Sequence, residues 1–340
     1  MNISITNVCN RRCEYCFQKG WYLSKKASPI GDDTAIEMPL NEFESLCAWS
    51  PTVKVIKLMG GEPLMHSHLP DFMAIAARYD KRVVFISNIS IDERAFADLC
   101  DAFEQSGSTV RSFLVNTDYP NSQESTFKTN LRRLCRSQLG LSFSTTLLPD
   151  EANTRKAIER LSELSEIYKQ NRGSLNGFCV RLSPYAPNPF KPQNFQIHDF
   201  TENIISLMTA LRNKGVMEFG FDCKVNHCEL WTEFIDACRN DGIRILTERC
   251  CPEIGMPFDV LVDHSVIWCS SANFLRLNDW RKYPDFEAAR RELSNQYYEW
   301  WRKHGESEKC RTCAKHTPGY CSGMCIAKTN NLLSLPIKQI

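Results

Sequence analysis

Several features typical of membrane, secreted and nucleic-acid-binding proteins are absent from this sequence of 340 residues. No run approaches 18 consecutive apolar residues, and the N-terminus lacks the charged-then-apolar pattern of a secretory signal. The 41 Lys and Arg residues nearly balance the 40 Asp and Glu residues, so no bulk basic charge argues for nucleic-acid binding. No internal repeat is evident. These absences favour a globular, cytoplasmic protein.

Cysteine, in contrast, is abundant, with 17 residues. Without an export signal, cysteines in closely spaced clusters favour metal binding over disulfide bonds. Four isolated cysteines lie in helix-like patterns and are interpreted as core residues, because a free cysteine is often buried. These are Cys47, Cys100, Cys135 and Cys238.

The first cluster is Cys9, Cys13 and Cys16, which directly follows a strand-like run. Fe–S clusters are normally held by four thiolates, so three on one loop predict a [4Fe–4S] cluster with one iron open to another ligand. The alternative is a zinc knuckle, although zinc sites favour paired C-x2-C spacings and four ligands.

This C-x3-C-x2-C loop, with Tyr15 before its third cysteine, resembles the signature of the radical S-adenosylmethionine (radical SAM) superfamily. The resemblance implies that the open iron binds the methionine part of SAM, and that reductive cleavage yields a 5′-deoxyadenosyl radical. Gly60-Gly61-Glu62-Pro63 follows the second predicted strand and resembles the GGEP motif of the same family. In that motif, the backbone and Glu62 would receive the methionine ammonium group.

Further polar residues lie where predicted strands end, and the resemblance assigns them to SAM binding. Ser87, Asn88 and Asn116 are candidates for the ribose or carboxylate of SAM, and ordinary strand-end capping is the alternative. Arg181 would pair with the SAM carboxylate or form a structural ion pair inside the barrel.

Strands and helices alternate over the first two thirds of the chain, which predicts an α/β fold with a parallel sheet. The resemblance implies a partial (β/α)6 TIM-like barrel. We expect a core barrel over residues 1–220 and a small cysteine-rich domain over residues 221–340, because the length exceeds that of a usual single core. The predicted strands are Ile3–Asn7, Val53–Met59, Arg82–Asn88, Ser112–Asn116, Leu141–Leu148 and Phe178–Ser183. The predicted helices are Leu40–Trp49, Leu69–Tyr79, Glu93–Gln105, Gln123–Ser137, Ala152–Gln170, Asp199–Lys214 and Leu230–Arg239.

The C-terminal cysteines resemble the SPASM and Twitch extensions of radical SAM enzymes, which hold auxiliary [4Fe–4S] clusters. A hairpin-like segment from Phe258 to Trp268 precedes Cys269, and a C-x2-C-x7-C-x3-C array ends at Cys325. A SPASM array usually has five residues between its inner cysteines and a further cysteine downstream. Here seven residues separate the inner cysteines, and no cysteine follows Cys325.

Two ligand sets are compatible with these cysteines. One cluster would use Cys251, Cys269, Cys310 and Cys313, with Cys250 as an alternative to Cys251. A second cluster would add Cys223, Cys228, Cys321 and Cys325. A structural zinc at Cys310, Cys313, Cys321 and Cys325 is the alternative.

The expected function is radical SAM chemistry on a peptide or protein, with one or two auxiliary clusters and an electron donor such as flavodoxin or ferredoxin. A small-molecule radical SAM dehydrogenase is the second hypothesis, and a non-catalytic Fe–S or zinc scaffold is the third. Because the barrel begins near Met1, we expect a peptide substrate to bind directly or through a separate recognition protein.

Overall fold

The computed structural model describes residues 1–13, 16, 36–107, 109–148, 150–184, 198–222, 238, 240–246, 258–269 and 274–304. These residues form an α/β structure of one large sheet with helices packed on it. The strands are β1 (Asn2–Thr6), β2 (Val55–Gly60), β3 (Arg82–Ser87), β4 (Val110–Asn116), β5 (Gly140–Leu147), β6 (Cys179–Pro184), β7 (Glu218–Phe221), β8 (Arg244–Leu246), β9 (Asp259–Val260), β10 (Val266–Ile267) and β11 (Arg276–Leu277). The helices are α1 (Leu40–Trp49), α2 (Leu69–Arg78), α3 (Glu93–Gln105), α4 (Glu124–Arg136), α5 (Glu151–Arg172), α6 (His198–Arg212) and α7 (Phe286–His304).

The sheet has the order β11-β10-β9-β1-β2-β3-β4-β5-β6-β7-β8. Each neighbouring pair from β1 to β8 is parallel, and the helices α1 to α6 connect the successive strands from β1 to β7 as in a TIM-like barrel. β9 adds to the other side of β1 in parallel, while β10 is antiparallel to both β9 and β11. The predicted α/β fold and the hairpin before Cys269 are therefore confirmed.

Aromatic side chains dominate the core between the sheet and the helices. The ring of Phe85 on β3 lies 5.1 Å from that of Phe103 on α3 and 5.0 Å from that of Phe113 on β4. Such stacked pairs add to the free energy gained from burying apolar area. The isolated cysteines Cys47, Cys100, Cys135 and Cys238 are buried, so their interpretation as core residues is confirmed.

The parallel array is longer than predicted. The sequence analysis stopped at six strands, whereas β7 and β8 extend the array to eight, and the predicted boundary after residue 220 falls inside β7. The division into two domains stays a prediction. The predicted helix Leu230–Arg239 lies outside the described residues except for Cys238.

A membrane-crossing helix was also sought in the part of the chain that the structure describes. None of its helices combines the necessary length with the necessary apolar character.

Candidate functional site

The candidate site lies at the carboxyl edge of the parallel strands, where active sites of βα barrels gather. The residues after β1, β2, β3 and β4 contact one another there through side-chain and backbone hydrogen bonds. This edge brings together the cysteine loop and most of the polar residues singled out in the sequence.

Gly60 and Gly61 hold the base of the cysteine loop through close backbone contact. The N–H groups of Gly61 and Glu62 donate to the carbonyls of Thr6 and Val8, at 2.7 Å and 2.6 Å. A Cβ atom on Gly60 would lie 2.3 Å from the Thr6 carbonyl oxygen, and one on Gly61 would lie 2.0 Å from that of Val8. Gly60 also has a φ of 149°, which side chains disfavour. Both positions therefore require glycine, and their predicted contact with SAM stays a prediction.

Glu62 is buried, with 1% of its surface exposed, and its carboxylate is held at both oxygens. Oε1 accepts from the hydroxyl of Ser87 at 2.6 Å and from the Leu64 N–H at 3.1 Å, and Oε2 accepts from the Asn88 N–H at 2.7 Å. Burial raises the pKa of Glu62, while these hydrogen bonds and the charge of Arg11 act against that rise. A bound cation would favour the charged form further.

Arg11 and Asn10 attach the cysteine loop to the ends of β3 and β4. The Arg11 guanidinium is buried and donates to the Asn88 carbonyl at 3.1 Å, the Ser90 hydroxyl at 2.6 Å and the Gln123 side chain at 2.9 Å. It also contacts Asn116 Oδ1 at 3.5 Å and the Asp118 carbonyl at 3.3 Å. Asn10 Oδ1 accepts from the Asn88 side chain at 2.9 Å. Because these partners come from three separate segments, the loop has a defined position on the sheet.

The three cysteines of the loop are half-buried and close enough to influence one another. Cys9 Sγ accepts a hydrogen bond from the Arg11 N–H at 3.4 Å, and the Cys16 N–H donates to the Cys13 carbonyl at 3.2 Å. Burial raises the pKa of the Cys9 thiol to about 12, and nearby Glu62, Cys16 and Cys13 act in the same direction. Since metal coordination removes the proton from such a thiol, this set of donors suits cationic irons.

Across the described ranges, no three His, Cys, Asp or Glu side chains converge on one point as ligands of a single metal ion. A [4Fe–4S] cluster makes a different demand, because each cysteine binds a different iron. Three thiols spaced along one loop, rather than gathered at one point, fit that demand.

A second polar cluster lies within β5 and β6 and just after β7. Arg181 forms an ion pair with Asp222, with 2.9 Å between Nε and Oδ1, and the hydroxyls of Ser144 and Ser183 donate to Asp222 Oδ2 at 2.6 Å and 2.5 Å. A Cβ on Gly220 would lie 2.8 Å from an Arg181 guanidinium nitrogen, so this glycine makes room for the arginine. The structural ion pair anticipated for Arg181 is thus present, and its contact with SAM stays a prediction.

Cys269 lies at the opposite, amino edge of the sheet. Asp259 of β9 pairs with both Asn2 at the start of β1 and Ile267 at the end of β10, and Cys269 follows two residues later. Of the predicted auxiliary ligands, it alone lies in the described part of the chain. Tyr15 and the remaining predicted ligands lie outside the described residues: Cys223, Cys228, Cys251, Cys310, Cys313, Cys321 and Cys325.

The family profile of the radical SAM superfamily matches residues 3–164, which span β1 to most of α5 and include the cysteine loop and Glu62. The chain contains a radical SAM domain. That family implies a [4Fe–4S] cluster and SAM, and the donors of the cysteine loop fit such a cluster.

Similarity in sequence to curated proteins is local. A stretch of 89 residues is 35% identical to GTP 3′,8-cyclase of Helicobacter pylori (strain HPAG1) and covers 25% of each chain. A stretch of 90 residues is 31% identical to GTP 3′,8-cyclase of Synechococcus elongatus and covers 26% of each. The match therefore spans about a quarter of the length of these relatives.

Similarity in structure is more extensive. The chain is similar to Streptococcus suis SuiB bound to S-adenosylmethionine, with a TM-score of 0.60 and 11% identity, over 96% of this chain and 72% of that one. It is also similar to SuiB bound to the precursor peptide SuiA, with a TM-score of 0.63 and 9% identity, over 96% of this chain and 71% of that one. At this identity, the similarity shows a shared fold.

Three residues of the site escaped the sequence analysis. Arg11 lies between two cysteines, and its position inside the motif could have drawn attention to it. Asp222 follows β7, a strand of four residues that is too short to give a clear pattern. Gly220 is within that strand, and only its contact with Arg181 reveals its role.

Proposed function

We propose that this protein is a radical SAM enzyme that cleaves SAM reductively and abstracts a hydrogen atom from a peptide or protein substrate. The observation that carries the proposal is the cysteine loop, which Arg11, Asn10 and the Gly60-Gly61 turn hold beside buried Glu62. The chemistry supplied by a bound cluster and SAM is one-electron cleavage of the sulfonium to a 5′-deoxyadenosyl radical.

In this proposal, Cys9, Cys13 and Cys16 hold the cluster and Glu62 accepts the ammonium group of SAM. The carboxylate of Glu62 is already oriented by the Ser87 hydroxyl and two backbone N–H groups, so little conformational freedom is lost when a cation binds. Gly60 and Gly61 keep Glu62 and the cysteine loop in register. The remaining candidates are assigned to the binding of SAM: Ser87, Asn88 and Asn116 at the carboxyl ends of β3 and β4, Arg181 within β6, and Tyr15 beside the third cysteine.

A peptide substrate is supported by the likeness in fold to SuiB, which has been solved with its precursor peptide. The second candidate is a small-molecule reaction, and the local identity to GTP 3′,8-cyclases favours it. One or two auxiliary clusters at the C-terminal cysteines, a flavodoxin or ferredoxin donor and a cytoplasmic location belong to the same proposal. An auxiliary cluster suits net oxidation, because it can accept the electron left on a substrate radical.

The first test is reductive cleavage of SAM by protein reconstituted with iron and sulfide under anaerobic conditions. With dithionite as reductant, the wild type is expected to release 5′-deoxyadenosine, and Cys13→Ala is expected to reduce its release to background. Cys100→Ala is the matched control, because Cys100 is a buried core residue far along the chain from the loop.

Undiminished 5′-deoxyadenosine formation by a folded Cys13→Ala protein would contradict the assignment of the loop. The substrate class is tested in the same assay, by adding short peptides encoded beside the gene or GTP. The compound that increases 5′-deoxyadenosine release and is itself changed in mass identifies the class.

A further inference from the structure

A cleft of about 470 Å³ lies directly beside the cysteine loop, and the proposed function assigns it no role. The loop itself forms one wall, from Asn10 to Cys13. The segment from Asp118 to Gln123, after β4, forms the second wall. The first three turns of α5 form the third, with Lys156 and Arg160 among the lining residues.

The described lining of this cleft carries four cationic side chains and one carboxylate. Asp118 supplies the carboxylate, which accepts from the Thr145 hydroxyl at 3.1 Å and from the Thr146 N–H at 2.9 Å. Arg11 is engaged with the ends of β3 and β4. The excess positive charge that faces solvent therefore comes from Arg12, Lys156 and Arg160.

These three cationic side chains differ in how firmly neighbouring residues hold them. Arg160 is held in place, since its guanidinium lies 4.5 Å from the centre of the Tyr119 ring and donates to the Tyr119 carbonyl. Arg12 and Lys156 are exposed, and neither has an ion-pair partner among the residues that the structure describes. The cleft is therefore a cationic surface with two side chains ready to meet an anionic partner.

The cleft differs from the proposed SAM site in its lining, although Arg11 in its wall contacts Asn88 and Asn116, two of the residues assigned to SAM. Its wall includes Cys13, a proposed ligand of the cluster, but its described lining contains neither Glu62 nor the Arg181–Asp222 cluster. A substrate must reach SAM, whereas an electron donor needs only to approach the cluster. A surface that touches a cluster ligand and carries an excess of positive charge suits the second kind of partner.

We propose that this cleft is the docking site for a small acidic one-electron carrier protein that reduces the cluster. One electron passes from the reduced carrier to the oxidised cluster, and no covalent bond forms or breaks. The inference rests on the proposed radical SAM function. Charge complementarity would raise the rate of association, and a small, transient interface is usual for electron-transfer partners.

The test compares two reductants on the reconstituted holoenzyme. Flavodoxin in its hydroquinone form is the probe protein, dithionite is the small-molecule reductant, and stopped-flow bleaching of the cluster absorbance reports its reduction. In Arg12→Glu/Lys156→Glu, reduction by flavodoxin is expected to slow about tenfold at low ionic strength. Reduction by dithionite, a small anion that needs no docking surface, is expected to slow much less.

The matched control is Lys169→Glu/Lys214→Glu, which changes the net charge equally. Both lysines are exposed and lie at the ends of helices that run toward the amino edge, away from the cleft. The cluster of this control variant is expected to be reduced by flavodoxin at nearly the wild-type rate. Added salt should slow the wild type and the control but barely affect the cleft variant, because screening acts on charges that still attract.

Several results would overturn the docking site. One is an unchanged flavodoxin rate in the cleft variant, and another is an equal loss in the control. A raised KM for a peptide substrate in dithionite-driven turnover, with flavodoxin reduction unaffected, would assign the cleft to the substrate. A wild type that fails to cleave SAM with dithionite would contradict the proposed function instead, so the two failures are distinguishable.

Discussion

The two edges of the sheet both carry cysteine, but the structure holds those cysteines in different ways. At the carboxyl edge, the cysteine loop is attached through the Arg11 side chain to the ends of β3 and β4, and through backbone hydrogen bonds to the Gly60-Gly61 turn. At the amino edge, Cys269 follows a two-stranded extension of the sheet, in which β9 pairs with β1. A polar network positions the first region, whereas backbone pairing positions the second.

Although the two regions are held differently, one strand, β1, connects them. β1 leads into the cysteine loop at one end and pairs at its other end with the β9–β10 hairpin that leads to Cys269. Because each residue of a strand advances about 3.3 Å, the two regions are separated by at least the length of β1. Metal centres at both edges would therefore lie on opposite sides of the barrel core.

The largest expected effect concerns iron content and separates the two edges. Replacing Cys9, Cys13 and Cys16 together with Ala should leave about 4 irons per chain if one auxiliary cluster is present, or about 8 if two are present. Adding Cys269→Ala to that triple variant should remove about 4 more irons, because a cluster that loses one thiolate is poorly held. Iron analysis of the anaerobically reconstituted proteins measures this. Adding Cys47→Ala, at a buried core position, is the control.

Zinc with negligible iron in the triple variant would refute the auxiliary clusters and favour the structural zinc. Circular dichroism should accompany each variant, since loss of a metal can unfold the region that binds it.

A smaller effect is expected from Arg11 at the carboxyl edge. Arg11→Met removes a buried guanidinium and leaves the Asn88 carbonyl and the Ser90 hydroxyl without this donor, at a cost of about 2–4 kcal/mol. In Arg11→Met, the loop should lose its cluster to a chelator about tenfold faster than in the wild type. Arg11→Lys keeps the charge but not the planar guanidinium, so its rate of cluster loss should lie between those of the wild type and Arg11→Met. Bleaching of cluster absorbance in the presence of the chelator measures the rate.

Arg12→Met is the matched control for Arg11, because Arg12 is the next residue along the chain and is exposed. Equal chelator sensitivity in the two variants would show that the hydrogen bonds of Arg11 do not hold the loop.

The smallest effect concerns Asp259 at the amino edge. Asp259 is buried, Oδ1 accepts from the Asn2 side chain at 2.7 Å, and burial raises the pKa of this carboxyl to about 7. Its pKa in the unfolded chain is lower, so the free energy of unfolding falls as the pH rises from about 4 to about 7. Asp259→Asn removes this loss, and its advantage over the wild type should grow over that range to about 4 kcal/mol at pH 8.

Urea denaturation at pH 5 and pH 8 measures this advantage, with Asp98→Asn at an exposed position of α3 as the control. An advantage of the same size at both pH values would show that the pKa of Asp259 is not raised in the folded protein.

Much of the fold was predictable because its signals are local. The helices Leu40–Trp49 and Glu93–Gln105 have the predicted bounds, and β1 to β6 differ from the predicted strands by at most two residues at each end. In each case, hydrophobic periodicity over several residues carries the information. β7 and β8, with four and three residues, are too short to display a period, and tertiary pairing alone defines them.

The sequence by itself determined the motifs on which the proposed chemistry depends, because the three cysteines and the Gly-Gly-Glu-Pro turn are contiguous along the chain. Only the tertiary structure decided how those motifs are held. Arg11 meets Asn116 across 105 positions of sequence, and Arg181 meets Asp222 across 41. Such contacts arise when parallel strands bring their carboxyl ends to one edge, so no local pattern contains them. Antiparallel pairing of β10 with β9 places Cys269 at the opposite edge.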